Sequence, residues 1–144
     1  MKTIFMKVKK TKTSYILRLE KGEEIIEALT RFARKNKIIG AFFFGLGVAK
    51  NLTLGYFDAH KKSYIKKKFR GEYEFTSLVG NISYFEKQIV IHAHATITDK
   101  KFNAFGGHIF EALIPATCEM IVLPLASGLK RKKNKVTGLN LLYL

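Results

Sequence analysis

Three histidines are spaced so that one β-hairpin can bring them to the same face of a sheet. They occur as His92-Ala93-His94 and, after a short polar break, as Gly106-Gly107-His108. Because residues two apart in a strand point to the same face, His92 and His94 share a face that Ala93 does not. Imidazole nitrogens are preferred ligands of zinc and related divalent ions. The spacing therefore predicts a metal site.

The pairing of the second strand decides whether His108 joins the other two histidines. A register that sets His108 opposite His94 also sets Phe105 opposite Ile97 on the apolar face. A slip of one residue turns Phe105 out among the histidines, which the hydrophobic pattern disfavours. Directly opposed Cβ atoms lie about 4.5–5.5 Å apart. In the favoured register the three imidazoles can therefore converge on one ion.

Other interpretations of these residues stay open. The histidines can be surface or interface residues with ordinary hydrogen bonds, and His60, in a lysine-rich loop, is expected to be solvated. A three-histidine ion with an open position is compatible with hydrolysis, and Glu74 and Glu72 are the candidate general bases. Structural acids on a polar face are the simpler interpretation of both. The sequence assigns no reaction, so a non-enzymatic role is preferred and enzymatic activity stays undecided.

The common nucleotide-binding and hydrolase motifs are absent from the sequence. The glycine-rich run 40–47 lacks the Lys-Ser/Thr pair of a P-loop, and neither G-x-G-x-x-G nor H-E-x-x-H nor G-x-S-x-G occurs. Cys118 is the only cysteine, which excludes an intrachain disulfide and a cysteine-based zinc knuckle. It lies in an apolar stretch and is predicted to be a buried thiol in a reducing compartment.

One helix and a series of strands must position these residues. A helix is predicted over residues 22–37, with Glu23 and Glu24 in its first turn, an i,i+4 pair between Glu27 and Arg31, and an apolar stripe. The stripe contains Ile25, Leu29, Phe32 and Ala33. Strands are predicted over residues 13–20, 39–47, 52–57, 63–69, 73–84, 88–98, 102–109, 117–123 and 136–142, with a turn near residues 49–51. These elements predict an α+β fold, a mainly antiparallel sheet with one principal helix. The helix covers one face of the sheet, and the other face needs a partner.

The positive charge of the chain is large and uneven. The 144 residues include 26 Lys and Arg against 11 Asp and Glu, a net charge of +15. Cations concentrate in residues 1–12, 61–70 and 130–135. Such clusters favour polyanions, nucleic acid first, although a solubilising lysine-rich surface is the alternative. The candidate nucleic-acid contacts are Lys9, Lys10, Lys12, Lys66, Lys67, Lys68, Lys130, Arg131, Lys132 and Lys133.

The length fits a single domain over residues 13–144, preceded by a basic segment over residues 1–12. The longest apolar run, residues 38–49, is shorter than the roughly 20 residues of a membrane-spanning helix. The N-terminus alternates lysine with apolar residues and has no signal-peptide core. We expect no membrane contact and a cytoplasmic location, associated with the nucleoid where the protein binds DNA.

Taken in order, several segments resemble the plant- and prokaryote-conserved (PPC) domain. The resemblance runs from about residue 14 to the C-terminus, and the ordered series is far more specific than any one motif. The matching motifs are Gly45-Leu46-Gly47, Leu54–Asp58, Gly71–Ile82, His92-Ala93-His94-Ala95 with Thr98-Asp99, and Gly106-Gly107-His108.

This resemblance implies a sheet with few helices that assembles as a homotrimer. In plant relatives the domain follows an AT-hook and serves assembly and partner contact in transcriptional regulation. This chain has no AT-hook core, and Glu72 replaces the arginine of their Gly-Arg-Phe-Glu-Ile signature. The three histidines match positions that imply a metal cluster in single-domain prokaryotic relatives.

We therefore expect a homotrimeric, DNA-associated protein of low sequence specificity. Zinc or another divalent metal is expected at His92, His94 and His108, with Glu74 near a possible pocket. The alternative is a metal-dependent enzyme or a small-molecule-binding protein that uses the same histidines.

Overall fold

The computed structural model describes residues 6–144, which form one seven-stranded sheet, one helix and a small C-terminal hairpin. The elements are β1 (Lys7–Lys10), β2 (Tyr15–Glu20), α1 (Ile25–Lys35), β3 (Ala41–Asp58), β4 (Ser63–Phe85), β5 (Gln88–Thr98), β6 (Ala104–Leu113), β7 (Thr117–Pro124), β8 (Arg131–Lys133) and β9 (Asn140–Leu142). The strand order is β1-β2-β7-β3-β4-β5-β6 with antiparallel neighbours, and β8 pairs with β9. This architecture confirms the predicted α+β fold.

The long strands β3 and β4 pair along almost their whole length. The predicted turn near residues 49–51 is wrong, because the chain continues there through a bulge. Asn51 has a φ of 51°, and its Oδ1 accepts a hydrogen bond from the backbone N–H of Gly71, whose φ is 89°. Asn and Gly both tolerate the left-handed conformation. The predicted break between residues 69 and 73 is therefore the other half of the same bulge, and not a loop.

The sheet closes partly on itself and encloses the core. The first half of β3 pairs with β7, and its second half pairs with β6, where Gly55 lies opposite His108. Because β6 also pairs with β5, the sheet curves back on itself, and the inward-facing side chains of β3, β5 and β6 lie together. Ala93, Ala95 and Ile97 of β5 are buried there, as their alternation predicts.

The helix packs against β5 and β6 through its apolar stripe, which is buried as predicted. It begins at Ile25 because the Glu24 side chain accepts a hydrogen bond from the backbone N–H of Glu27 and caps the first turn. Glu23 and Glu24 therefore precede the helix, which corrects the predicted start. Glu23 is buried and pairs with Arg31 at 2.8 Å. The predicted Glu27–Arg31 pair forms at 3.7 Å.

The ends of the chain differ from the predicted elements. Residues 1–5 of the basic segment lie outside the described residues, and β1 joins the sheet beside β2. Of the predicted strand over 136–142, only residues 140–142 form a strand, β9, which pairs with β8 in a hairpin. Residues 136–139 belong to the turn before β9, where Asn134 Oδ1 accepts backbone hydrogen bonds from Val136 and Thr137. No helix within residues 6–144 is long and apolar enough to cross a membrane.

Candidate metal centre

The hairpin of β5 and β6 brings the three histidines together. His94 lies directly opposite His108, and Ile97 lies opposite Phe105, which is the register that the hydrophobic pattern predicts. His92 shares the face of His94 and lies opposite Asn81 of β4. The five residues between the strands are held by Asp99, whose side chain accepts hydrogen bonds from the backbone N–H groups of Lys101 and Asn103. The turn held by Asp99 and the apolar pairing of Ile97 with Phe105 therefore determine how the histidines are aligned.

The side-chain nitrogens of the cluster are close enough to share an ion. One ligand nitrogen from each of His92, His94 and His108 lies within 4.8 Å of the other two. The Nε2 atoms of His92 and His94 are 3.1 Å apart. Two nitrogens about 2.05 Å from a tetrahedral ion are separated by about 3.3 Å. Small side-chain rotations therefore bring all three nitrogens to coordination distance.

His108 supplies the test of whether these residues fit a metal. Its Nδ1 is buried and has no hydrogen-bond partner within residues 6–144. The His108 ring packs against the rings of Tyr64 and Phe110, at centroid distances of 5.0 and 4.8 Å. A buried ring nitrogen without a partner is costly. Tyr64 and Phe110 offer no hydrogen bond to the ring nitrogens of the cluster, whereas a bound metal ion would interact with them. The donor set therefore fits a divalent metal.

The protonation of the cluster also suits a metal. The pKa of His108 is lowered to about 4, first by burial and then by the nearby charges of His92, His94, Arg131 and Lys66. Burial, followed by Arg131 and His94, lowers the pKa of His92. Imidazole binds metal ions in its neutral form. Both rings are therefore in their ligating form at neutral pH.

Arg131 lies beside the cluster, which the sequence does not predict. Its side chain is buried, whereas the other nine predicted nucleic-acid contacts are exposed. The guanidinium donates from Nε to Ser83 Oγ at 2.6 Å and from Nη2 to Asn81 Oδ1 at 2.9 Å. Nη2 also lies 3.4 Å from His92 Nδ1. This placement removes Arg131 from the cationic surface and makes it a neighbour of the histidine cluster.

Glu74 shares the sheet face of the histidines but lies away from them. It pairs with Thr98, which is four residues along β5 from His94, or roughly 13 Å at the rise of a strand. The metal-ligating group found within residues 6–144 contains the three histidines and no carboxylate. The geometry therefore does not bring the predicted pocket residue to the cluster.

Comparison with known proteins identifies the family. The sequence model of the Plants and Prokaryotes Conserved (PCC) domain matches residues 6–126. The chain belongs to the PCC domain family. A search of curated protein sequences gave no match.

Three solved structures superpose over almost the whole chain. One is a candidate DNA-binding protein from Bacteroides thetaiotaomicron, 30% identical, with a TM-score of 0.93 over 97% of this chain and 98% of that chain. A plant- and prokaryote-conserved (PPC) protein from Pyrococcus horikoshii is 30% identical, with a TM-score of 0.86 over 100% and 98%. A metal-containing protein from Archaeoglobus fulgidus is 31% identical, with a TM-score of 0.85 over 100% of both chains.

Two residues outside the metal cluster behave as the sequence predicts. His60 is exposed in the turn after β3, where its backbone N–H donates to Asp58 Oδ1. Cys118 is fully buried, and burial, followed by the charge of Glu119, raises the pKa of its thiol to about 12. An uncharged, inaccessible thiol is chemically inert.

The neighbours of the PCC histidine cluster were not identified from the sequence. Asn81 and Ser83 lie on β4 and contact Arg131, while Tyr64 lies near the start of the same strand. Asn81 and Ser83 flank the apolar residue Ile82 in the sequence. This alternation is the local signal that places the two polar residues on the same face of β4. No local signal separates Arg131 from the run of cations around it.

Proposed function

We propose that this PCC protein binds a divalent metal ion, zinc first, through His92, His94 and His108. The observation that carries the proposal is the convergence of three ligand nitrogens within 4.8 Å. The buried Nδ1 of His108, which has no hydrogen-bond partner within residues 6–144, supports it. The description of the Archaeoglobus fulgidus relative as metal-containing supports it. A bound ion with three histidine ligands keeps an open position for a further ligand. In this role the chain's own residues position the three imidazoles and partly bury those of His92 and His108.

Native mass spectrometry of protein purified without added metal tests this function. The wild type is expected to carry one ion per chain, and His94→Ala is expected to lose it. His60→Ala is the matched control, because His60 is exposed and lies outside the cluster. Loss of the ion from His60→Ala, or its retention by His94→Ala, contradicts the assignment.

The same chain is proposed to assemble as a homotrimer through the outer face of its sheet. Phe42, Phe44 and Val79 are each about half exposed on neighbouring strands. Val79 lies opposite His94, so this apolar face adjoins the metal cluster. Exposed apolar side chains that form a continuous patch are typical of protein interfaces.

The mass of the assembly in solution tests this interface. A trimer of 16.4 kDa chains has a mass of about 49 kDa. Phe44→Glu is expected to give monomers, because it places a charge in the centre of the apolar face. Val136→Glu is the control, since Val136 is exposed in the C-terminal turn. A monomeric wild type, or an unchanged assembly in Phe44→Glu, contradicts this proposal.

DNA association of low sequence specificity is the second proposed function. The exposed lysines of three clusters favour it: Lys9, Lys10 and Lys12; Lys66, Lys67 and Lys68; and Lys130, Lys132 and Lys133. The Bacteroides thetaiotaomicron relative is a candidate DNA-binding protein, which supports it. Lysines of this kind contact phosphates, which are the same in every sequence, so the protein is expected to bind duplexes of different sequence equally. They also accord with a cytoplasmic, nucleoid-associated location.

The salt dependence of duplex binding measures these contacts. For 6–10 phosphate contacts, the affinity is expected to fall by roughly 10³–10⁵-fold between 50 and 200 mM salt. The double variant Lys132→Gln/Lys133→Gln is expected to reduce the slope of log K against log salt by about 1.8. Lys21→Gln/Lys35→Gln removes the same charge from exposed positions outside the clusters. Equal slopes for the two variants, or binding insensitive to salt, refute the lysine assignment.

A further inference from the structure

The guanidinium of Arg131 is held at the metal cluster by neutral acceptors alone. Besides Ser83 and Asn81, it donates from Nη1 to the backbone carbonyl oxygen of Asn140 at 2.7 Å. The ion pairs found within residues 6–144 involve other residues, so no carboxylate neutralises Arg131. Arg131 belongs to the C-terminal hairpin and lies beyond residues 6–126, which match the PCC family.

Two cationic side chains, Arg131 and Lys66, lie near the histidine cluster. The cluster contains no acidic residue within the described part of the chain. Lys66 lies 3.9 Å from the ring centre of Phe110, which in turn packs against His108. With a divalent ion bound by three neutral imidazoles, the ion and Arg131 together carry three positive charges in a partly buried place. Charges in such places require compensation by opposite charge.

Metal binding also releases a donor of Arg131. A guanidinium only donates hydrogen bonds, so its Nη2 contact with His92 requires the lone pair of Nδ1. When Nε2 of a neutral imidazole holds an ion, the ring proton lies on Nδ1, and that contact becomes one between two donors. The Nη2–H that faces His92 in the metal-free protein is then available to another acceptor.

We propose that the metal-loaded site binds a small oxyanion, a carboxylate or phosphate group, and that Arg131 supplies the fixed positive charge that favours it. This inference rests on the proposed metal site. The ion offers an open position, and Arg131 offers a charged, planar donor of the kind that recognises carboxylates and phosphates. Among the described residues, the charged groups that act on His92 and His108 are Arg131, Lys66 and the histidines, and none of them is acidic. The anion therefore comes from outside the chain.

Cobalt(II) is the spectroscopic probe, because its visible absorption reports both metal binding and changes in its ligands. The cobalt-loaded protein is titrated with acetate and, separately, with inorganic phosphate, at an ionic strength fixed with perchlorate. The expected result is a saturable change in the visible bands with at least one of the two anions. The two titrations show which oxyanion the site prefers.

Two substitutions of Arg131 separate its charge from its packing. Arg131→Gln is expected to weaken anion binding by on the order of tenfold or more, because it removes a unit charge beside the ion. Arg131→Lys keeps the charge and is expected to bind the anion within a few-fold of the wild type, even where its melting temperature falls. Lys100→Gln, which removes an exposed cation from the turn between β5 and β6, is the matched control and is expected to leave anion binding unchanged.

The outcomes distinguish this inference from the proposed function on which it rests. Absence of cobalt bands overturns the metal site and, with it, the oxyanion site. Cobalt bands that respond to neither acetate nor phosphate overturn the oxyanion site alone. Equal losses of anion affinity in Arg131→Gln and Arg131→Lys, or in Arg131→Gln and Lys100→Gln, overturn the role of the Arg131 charge.

Discussion

Gly107 and Gly106 precede His108 in β6, but the structure predicts different responses to their substitution by alanine. A Cβ on Gly107 would lie 2.7 Å from the backbone oxygen of Gly55 in β3. The ordinary contact between carbon and oxygen is about 3.3–3.6 Å. The overlap of about 0.6–0.9 Å falls on backbone, which cannot rotate away, so β6 must move from β3. We expect Gly107→Ala to lower the free energy of unfolding by about 1–3 kcal/mol.

Gly106→Ala is the matched control for this prediction. A Cβ on Gly106 would lie 3.2 Å from the backbone oxygen of Ala95 and 3.7 Å from Thr96 Oγ1, so a shift of a few tenths of an ångström accommodates it. Alanine also restricts the unfolded chain, which stabilises by about 0.4–1 kcal/mol. We expect the stability of Gly106→Ala to lie within about 1 kcal/mol of the wild type.

Urea denaturation of the metal-free variants and calorimetric titration with zinc measure both effects. Because movement of β6 displaces His108, Gly107→Ala is expected to bind zinc more weakly than Gly106→Ala. Equal stabilities for the two variants would refute the reasoning that the tight approach of β6 to β3 positions His108.

Three further predictions follow from the same structure. The pKa of His108 is about 4 in the folded protein, against 6.5 for an unperturbed histidine, so the unfolded chain binds more protons between these values. The unfolding free energy of the metal-free protein is expected to fall as the pH is lowered from about 6.5 to 4, and urea titrations of His108→Gln are expected to show a shallower fall; parallel curves contradict this. Phe102 is 88% exposed and has a φ of 65°, a left-handed conformation that is strained for phenylalanine but not for glycine. Phe102→Gly is therefore expected to stabilise the fold by about 1 kcal/mol and to raise the melting temperature. A lower melting temperature would contradict the presence of this backbone strain. Zinc at about 100 times its dissociation constant is expected to raise the melting temperature of the wild type by roughly 5–10 °C and that of His94→Ala by much less, as differential scanning calorimetry measures; equal shifts contradict the site.

The histidine register could be predicted because two independent patterns agree in one hairpin. Setting His108 opposite His94 also sets Phe105 opposite Ile97, and burial of the apolar row excludes the alternative pairing. The helix was predictable for a similar reason, since its apolar stripe has the helical period. Its start was not, because Glu24 acts through a side-chain hydrogen bond that composition alone does not reveal.

The parts of the fold that escaped prediction depend on pairing between distant segments. Asn51 and Gly71 read as turn residues, yet each adopts its left-handed conformation inside a continuous strand. A bulge and a turn use the same residues, and only the partner strand distinguishes them. Arg131 escaped prediction because its acceptors, Ser83 and Asn81, lie about fifty residues away in the sequence.

X-ray absorption at the zinc edge tests the central claim most directly, because it reports the atoms bound to the ion. For zinc-loaded protein, the account predicts a shell that includes three imidazole nitrogens at about 2.0–2.1 Å. The same measurement on His94→Ala is expected to lose this shell. A zinc shell without imidazole, or one that His94→Ala leaves unchanged, would contradict a metal centre formed by His92, His94 and His108.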